Sequence, residues 1–130
     1  GFMEKGPVKI AFGIMRGGNQ AQAHAQFVSN VVDHKMNIQA ALEAPRFTRR
    51  NLEGCSVLME SRLDEAAKEK LKALGHYVDW RAEYSAQMGG GQAVLLDTGT
   101  RMHYGASSPR KDGAAIPEAD PYFSVVGKKP

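Results

Sequence analysis

Two hydrophobic periods alternate along this chain, and the switches between them mark its elements. Val8 to Met15 is an almost unbroken apolar, β-rich run, the pattern of a strand covered on both faces. From Gln20 to Met36, positions His24, Phe27, Val28, Val31 and Val32 recur at helical spacing while Gln26, Asn30 and Asp33 fall mainly off the stripe, which predicts an amphipathic helix. Asn37 is placed to cap a second helix over Ile38 to Glu43. Pro45 ends that helix, because proline lacks an N–H and pushes Ala44 out of the helical region. Ser56 to Glu60 reads as a strand. Asp64 then caps a helix over Glu65 to Leu74, with Ala67, Leu71 and Leu74 on one face and Gly75 closing it. His76 to Arg81 alternates like a half-buried strand, and Gln92 to Asp97 with Arg101 to Tyr104 predicts a hairpin turning at Asp97-Thr98-Gly99-Thr100. After Gly105 the glycine, proline and charge content rises, so Ala106 to Pro130 is expected to be an irregular tail lying partly against the surface.

This order predicts an α/β (α+β) layered unit, with helices packed on a mixed or antiparallel sheet. At 130 residues and 42% apolar content there is material for one core. The chain opens on Gly1 and runs straight into a strand-like segment, so it is expected to begin inside a longer protein. No apolar run approaches the roughly 18 residues of a membrane span, and no span is expected in this chain. Any targeting signal would belong to a precursor, which leaves cytoplasmic and exported locations equally open.

Charge and cysteine content narrow the chemistry. The net charge of +3 is spread along the chain rather than gathered in a stripe, so no nucleic-acid partner is expected. Cys55 is the single cysteine, which excludes an internal disulfide and a thiolate zinc site. In the run CSVLM it reads as a small buried hydrophobe, with no base beside it to make it a nucleophile. Neither GxxxxGK followed by a hydroxyl residue nor GxGxxG occurs, and no cofactor is expected.

One loop has chemical potential. Arg16-Gly17-Gly18-Asn19 joins the first long strand to the main helix, an arrangement that points unpaired backbone N–H groups and the positive end of a helix dipole at one small space. Such a space suits an anion. By itself a glycine pair here is more often a turn than a site; as a site it fits an oxyanion hole, which needs only two aimed N–H donors, better than a phosphate cradle.

The stretch from Gly13 to Phe47 resembles a segment of the gamma-glutamyltranspeptidases, in which a Gly-Gly turn precedes a helix ending in a DHGMN-type sequence followed by EAPRF. Tyr104 to Ala115 resembles the family's terminal YGASDPRRDGAA. Between them Gly75-His76 and Met88 to Val94 resemble its GH and MGSVQAI elements, in the same order. The resemblance covers residues 1–117, read as the later part of the family's small subunit, with 118–130 as an irregular tail. It implies part of an N-terminal-nucleophile hydrolase αββα sandwich. It also implies a precursor that cleaves itself before a threonine, whose hydroxyl attacks a gamma-glutamyl amide such as glutathione and passes the acyl group to water or to an amino-acid or peptide amine. The implied partners are that substrate, that acceptor and the rest of the precursor.

On this resemblance Gly17 and Gly18 bind the substrate's developing oxyanion. A gap-free alignment from Met15 to Gln26 places the pair on Arg16 and Gly17 instead, so Gly17 is common to both. The nucleophile and the groups that grip the substrate's α-amino and α-carboxylate lie upstream of Gly1; Thr48, Thr98 and Thr100 read as ordinary loop or turn residues, and the chain alone is expected to be inactive. His24 reads as a core histidine with one satisfied nitrogen, and Arg46 as a salt bridge or carbonyl contact. Arg110 and Asp112 read as anchors of the tail, and Met88 to Gly91 as a flexible turn. Two other functions stay open: a non-catalytic module that binds an anion or partner through the Gly17 loop, and an acylase of the same fold acting on acylated lactams.

Overall fold

The computed structural model describes residues 1–49, 51 and 53–116. Ten elements follow in order: β1 (Phe2–Lys5), β2 (Val8–Met15), α1 (Gln20–Val32), α2 (Ile38–Glu43), β3 (Phe47–Thr48), β4 (Ser56–Glu60), α3 (Glu65–Ala73), β5 (Tyr77–Arg81), β6 (Gly90–Asp97) and β7 (Met102–Ser107). They form an antiparallel sheet ordered β1-β2-β6-β7 and a smaller mixed sheet ordered β3-β4-β5. The layered α+β expectation holds, with both antiparallel and mixed sheets and helices packed on them. β1 and β3, too short for a pattern to show, are additions to the predicted set.

The helix ends follow their caps. Asn37 Oδ1 accepts from Ala40 N at 2.8 Å, and Asp64 Oδ1 accepts from Ala66 N at 3.0 Å. Gly75, at φ +87°, lets His76 N reach back to Leu71 O at 3.0 Å. The main helix stops at Val32 rather than Met36. Lys35 takes φ +57°, and Met36 N returns to Asn30 O at 3.0 Å, the left-handed closure that glycine usually makes. Leu74, expected on the apolar face, falls at the helix end and is 77% exposed.

The core lies between the large sheet and the helices α1 and α2. Ile10 and Ile14 of β2 meet Ala23 and Phe27 of α1, Leu42 of α2 and Ala93 of β6. Phe12 packs its ring 4.7 Å from that of Phe27. Removing one such large side chain from water stabilises the fold by about 1.5–3 kcal/mol. The other face of β2 is open, contrary to the two-sided burial expected: Ala11, Gly13 and Met15 are exposed. Small residues at alternate positions made the strand read apolar throughout. On the same side of the sheet the terminal segment lies against β6 and β7: a Cβ on Gly90 would lie 2.8 Å from Lys111 Cβ, and one on Gly105 2.8 Å from Ala115 Cβ.

Three glutamines tie helices to backbone. Gln22 donates to Arg49 O and accepts from Arg49 N, Gln26 does the same at Phe47, and Gln39 at Ser107, all at 2.9–3.1 Å. Each side-chain amide thus imitates a strand neighbour.

Two local expectations change. Cys55 is exposed, because the buried part of its run begins only at Val57. β7 extends to Ser107, and the irregular segment after it contains buried Ser108 and Arg110; the tail predicted for 118–130 lies outside the described residues.

Candidate functional site

The Gly17 loop is shaped from both sides. β2 delivers Met15 opposite Gly90, Arg16 continues with an extended φ of −178°, and Gly17 turns at φ +45° into a single 3-10 turn over Gly17–Asn19 that leads into α1. The left-handed value is one that glycine adopts without strain and that costs other residues roughly 1 kcal/mol or more. Gly18 has no such requirement, and space is open where its Cβ would stand. Asn19 N closes on Arg16 O at 3.0 Å, and no carbonyl of the described residues accepts from Gly17 N or Gly18 N.

From below, buried Asn19 pins the turn. Its Nδ2 donates to Met88 O at 3.3 Å, and its Oδ1 accepts from Thr48 Oγ1 at 2.5 Å. Thr48 is therefore a buried strand residue rather than a loop threonine. Met88 O is shared with Arg46, whose Nη1 also reaches Gly89 O at 2.7 Å while Nη2 donates to Leu42 O at 2.9 Å. Arg46 is 2% exposed, and burial, then repulsion from Arg110, push its pKa down to about 10 against the opposing pull of Glu60. The carbonyl contact expected of Arg46 is thus present. Met88 to Gly91 is no flexible turn: all four residues are buried, and Gly90 and Gly91 pair with Met15 and Ile14. A Cβ on Gly89 would meet Met15 O at 2.9 Å, so a side chain there would displace the strand that carries the loop.

Glu60, fully buried, closes this framework. It accepts from Arg46 N, from Ser85 N and from the Arg110 guanidinium. Arg110 does anchor the C-terminal segment; Asp112 is exposed and makes no hydrogen bond or ion pair among the described residues. No periodicity in the sequence singles out Glu60 or Asn19. A carboxylate ending an apolar strand run is the one sign Glu60 gives.

Gly17 and Gly18 border neighbouring clefts. Gly17 lies with Met15, Gln20 and Lys111, Gly18 with Asn19, Thr48, Arg49 and Gln87, and Arg16 borders both. Neither lining contains an aspartate or glutamate. His24 lies under β2, half-buried, its Nε2 accepting from Ile14 N at 2.9 Å, which places its ring proton on Nδ1. Among the described residues no group of three metal-ligating side chains converges, and no helix is long and apolar enough to cross a membrane.

The sequence model of the gamma-glutamyltranspeptidase family matches residues 2–118. The glutathione hydrolase-like YwrD proenzyme of Bacillus subtilis is 32% identical over 85% of this chain and 22% of its own length. The oxamate amidohydrolase proenzyme of Klebsiella pneumoniae is 28% identical over 82% of the chain and 20% of its own. The chain thus spans about a fifth of the length of these curated relatives. Among solved structures, the cephalosporin acylase of Bacillus halodurans superposes with a TM-score of 0.73 at 33% identity, over 84% of this chain and 20% of that one. The transpeptidase CapD of Bacillus anthracis shares the fold, with a TM-score of 0.78 at 23% identity over 91% of this chain and 68% of that one. With the family model matched over residues 2–118, the chain belongs to the gamma-glutamyltranspeptidase family.

Proposed function

We propose that this chain is the charge-stabilising part of an amide hydrolase or acyltransferase, in which the N–H groups of Gly17 and Gly18 bind the oxyanion. The supporting observation is Gly17 itself: a left-handed turn whose N–H meets no carbonyl of the described residues, held from beneath by Asn19, in a chain of this family. In this reading a threonine from outside the chain attacks the amide carbonyl through Oγ while its own amino group takes the proton. The tetrahedral oxyanion collapses, the C–N bond breaks, and the amine leaves with the proton. Water or another amine then attacks the acyl ester and frees the threonine. Each tetrahedral state puts negative charge where the two donors wait, and the loss of one such donor costs about 100- to 1,000-fold in kcat. Gamma-glutamyl amides are the first substrates to test. Likeness to an oxamate amidohydrolase and a cephalosporin acylase supports other acyl amides as a second class.

The test uses the full-length protein and a chromogenic gamma-glutamyl anilide. Alanine keeps its N–H, so Gly17→Ala acts only by forcing the turn away from φ +45°. Gly18→Ala leaves the backbone where it is. Gly17→Ala should lower kcat by about 100-fold with a much smaller change in KM, and Gly18→Ala far less. Equal, small losses from both variants would remove the oxyanion role. Full-length protein that neither cleaves itself nor releases acyl groups would leave the non-catalytic module as the better reading.

A further inference from the structure

His24 ties β2 to α1 across the base of the Gly17 loop. Its Nε2 accepts from Ile14 N at 2.9 Å, and the turn over Gly17–Asn19 lies on the stretch of chain between the two residues. The bond stands where a strand neighbour would. Ile14 N points away from β6, on the same side as Phe12 N, which donates to Gly1 O at 2.9 Å. β1 pairs with Val8 to Ala11 and Gly1 covers Phe12, so among the described residues no strand reaches Ile14 on that edge. A side chain of the helix supplies the missing acceptor for this buried residue.

The choice of side chain matters. Gln22, Gln26 and Gln39 hold backbone elsewhere in the fold through amides that do not titrate, whereas an imidazole that takes up a proton carries N–H at both nitrogens and accepts nothing. Protonated, His24 would set N–H against N–H at Ile14. Gly13, Ile14, Met15, Gln20 and Gln92, which share its cleft, carry no titratable group, and Phe12 presents its ring edge-to-face at 5.3 Å. The one charge acting on His24 among the described residues is the Gly1 α-amino group, which becomes a peptide N–H wherever the chain continues upstream. Nothing in these surroundings stabilises the imidazolium.

We infer that neutral His24 is a positioning residue for the oxyanion turn: its bond to Ile14 N fixes how β2 enters and α1 leaves Gly17, and its protonation releases that hold. This rests on the amide-cleaving reading above. Asn19 pins the turn from beneath through Met88 O, and His24 sets the corner in which the turn is made. Losing the second hold leaves the donors present but poorly aimed, which lowers turnover rather than binding.

The experiment follows kcat of the full-length protein on a chromogenic gamma-glutamyl anilide from pH 7 to pH 5, with circular dichroism confirming the fold at each pH. Glutamine offers an acceptor of similar reach that does not titrate, and leucine offers none. At pH 7 His24→Gln should keep kcat within about twofold of wild type, and His24→Leu should lower it about tenfold with KM nearly unchanged. The threonine amine titrates alike in both proteins and cancels in their ratio, so kcat of His24→Gln relative to wild type should rise about threefold between pH 7 and pH 5. A histidine that only supports the fold would leave that ratio flat. A flat ratio, or a folded His24→Leu variant as fast as wild type, overturns the inference while leaving the amide-cleaving reading intact. Wild-type protein that neither cleaves itself nor turns over the anilide overturns both.

Discussion

Arg110 clamps Glu60 across fifty residues of sequence, Nε to Oε1 at 2.6 Å and Nη2 to Oε2 at 2.5 Å, with both side chains fully buried. The same guanidinium donates to Leu42 O and Ala44 O, so one side chain joins the terminal segment, β4 and the end of α2. Glu60→Gln leaves Arg46 and Arg110 buried without their counter-charge. A loss of about 3–5 kcal/mol is expected, measured as a lower urea midpoint at unchanged slope.

Lys35 holds a left-handed conformation that costs a non-glycine residue about 1 kcal/mol. The family segment described above has glycine at this place. Lys35→Gly should therefore stabilise the protein by about 1 kcal/mol, and thermal unfolding should move upward by a few degrees. An unchanged or lowered midpoint would contradict the strain.

Gly91 pairs with Ile14, the residue after Gly13, so the two glycines face opposite sides of the sheet. A Cβ on Gly91 would lie 2.8 Å from Ile14 Cγ1 and 3.0 Å from Leu42 Cδ2, whereas one on Gly13 meets nothing within 4 Å. Gly91→Ala should cost about 1–3 kcal/mol through overpacking. Gly13→Ala should be neutral or stabilise by about 0.5 kcal/mol, since its φ is ordinary and alanine narrows the unfolded ensemble. Chemical denaturation of the two variants side by side checks the contrast.

His24 is held below its ordinary pKa chiefly by burial, and its neutral Nε2 is the acceptor for Ile14 N. The unfolded chain takes up a proton near pH 6.5 while the folded one resists, so the fold's stability is full above that pH and declines as pH falls through the lower folded value. Denaturation midpoints between pH 7 and pH 5 should show this decline, and His24→Gln should flatten it.

Much of the architecture was readable because it rests on local rules. Asn37, Asp64 and Gly75 fix helix ends by contacts within a few residues, and the hairpin at Asp97 is set by that carboxylate accepting the N–H groups of Gly99 and Thr100. The Gly17 loop could be found for the same reason. What supports it could not. Asn19, Thr48, Arg46, Glu60 and Arg110 come from separate stretches of chain, and nothing in the spacing of any one of them encodes the others. Gln26 falls off the apolar stripe of α1, yet its amide holds the backbone of residue 47, as that of Gln22 holds residue 49. Polar residues that pair with backbone far away leave no periodic trace.

The bond from Asn19 to Met88 spans 69 residues, and the strand that flanks the Gly17 loop finds its central partner only in β6. Closing a loop of that length carries an entropic cost that local structure cannot offset beforehand. During synthesis α1 and α2 leave the ribosome well before β6 exists, so Gly17 waits as part of an unpinned connection. Its geometry depends on β6 lying beside β2, which makes the shape of the loop a product of contacts made some seventy residues further along the sequence rather than of its own residues.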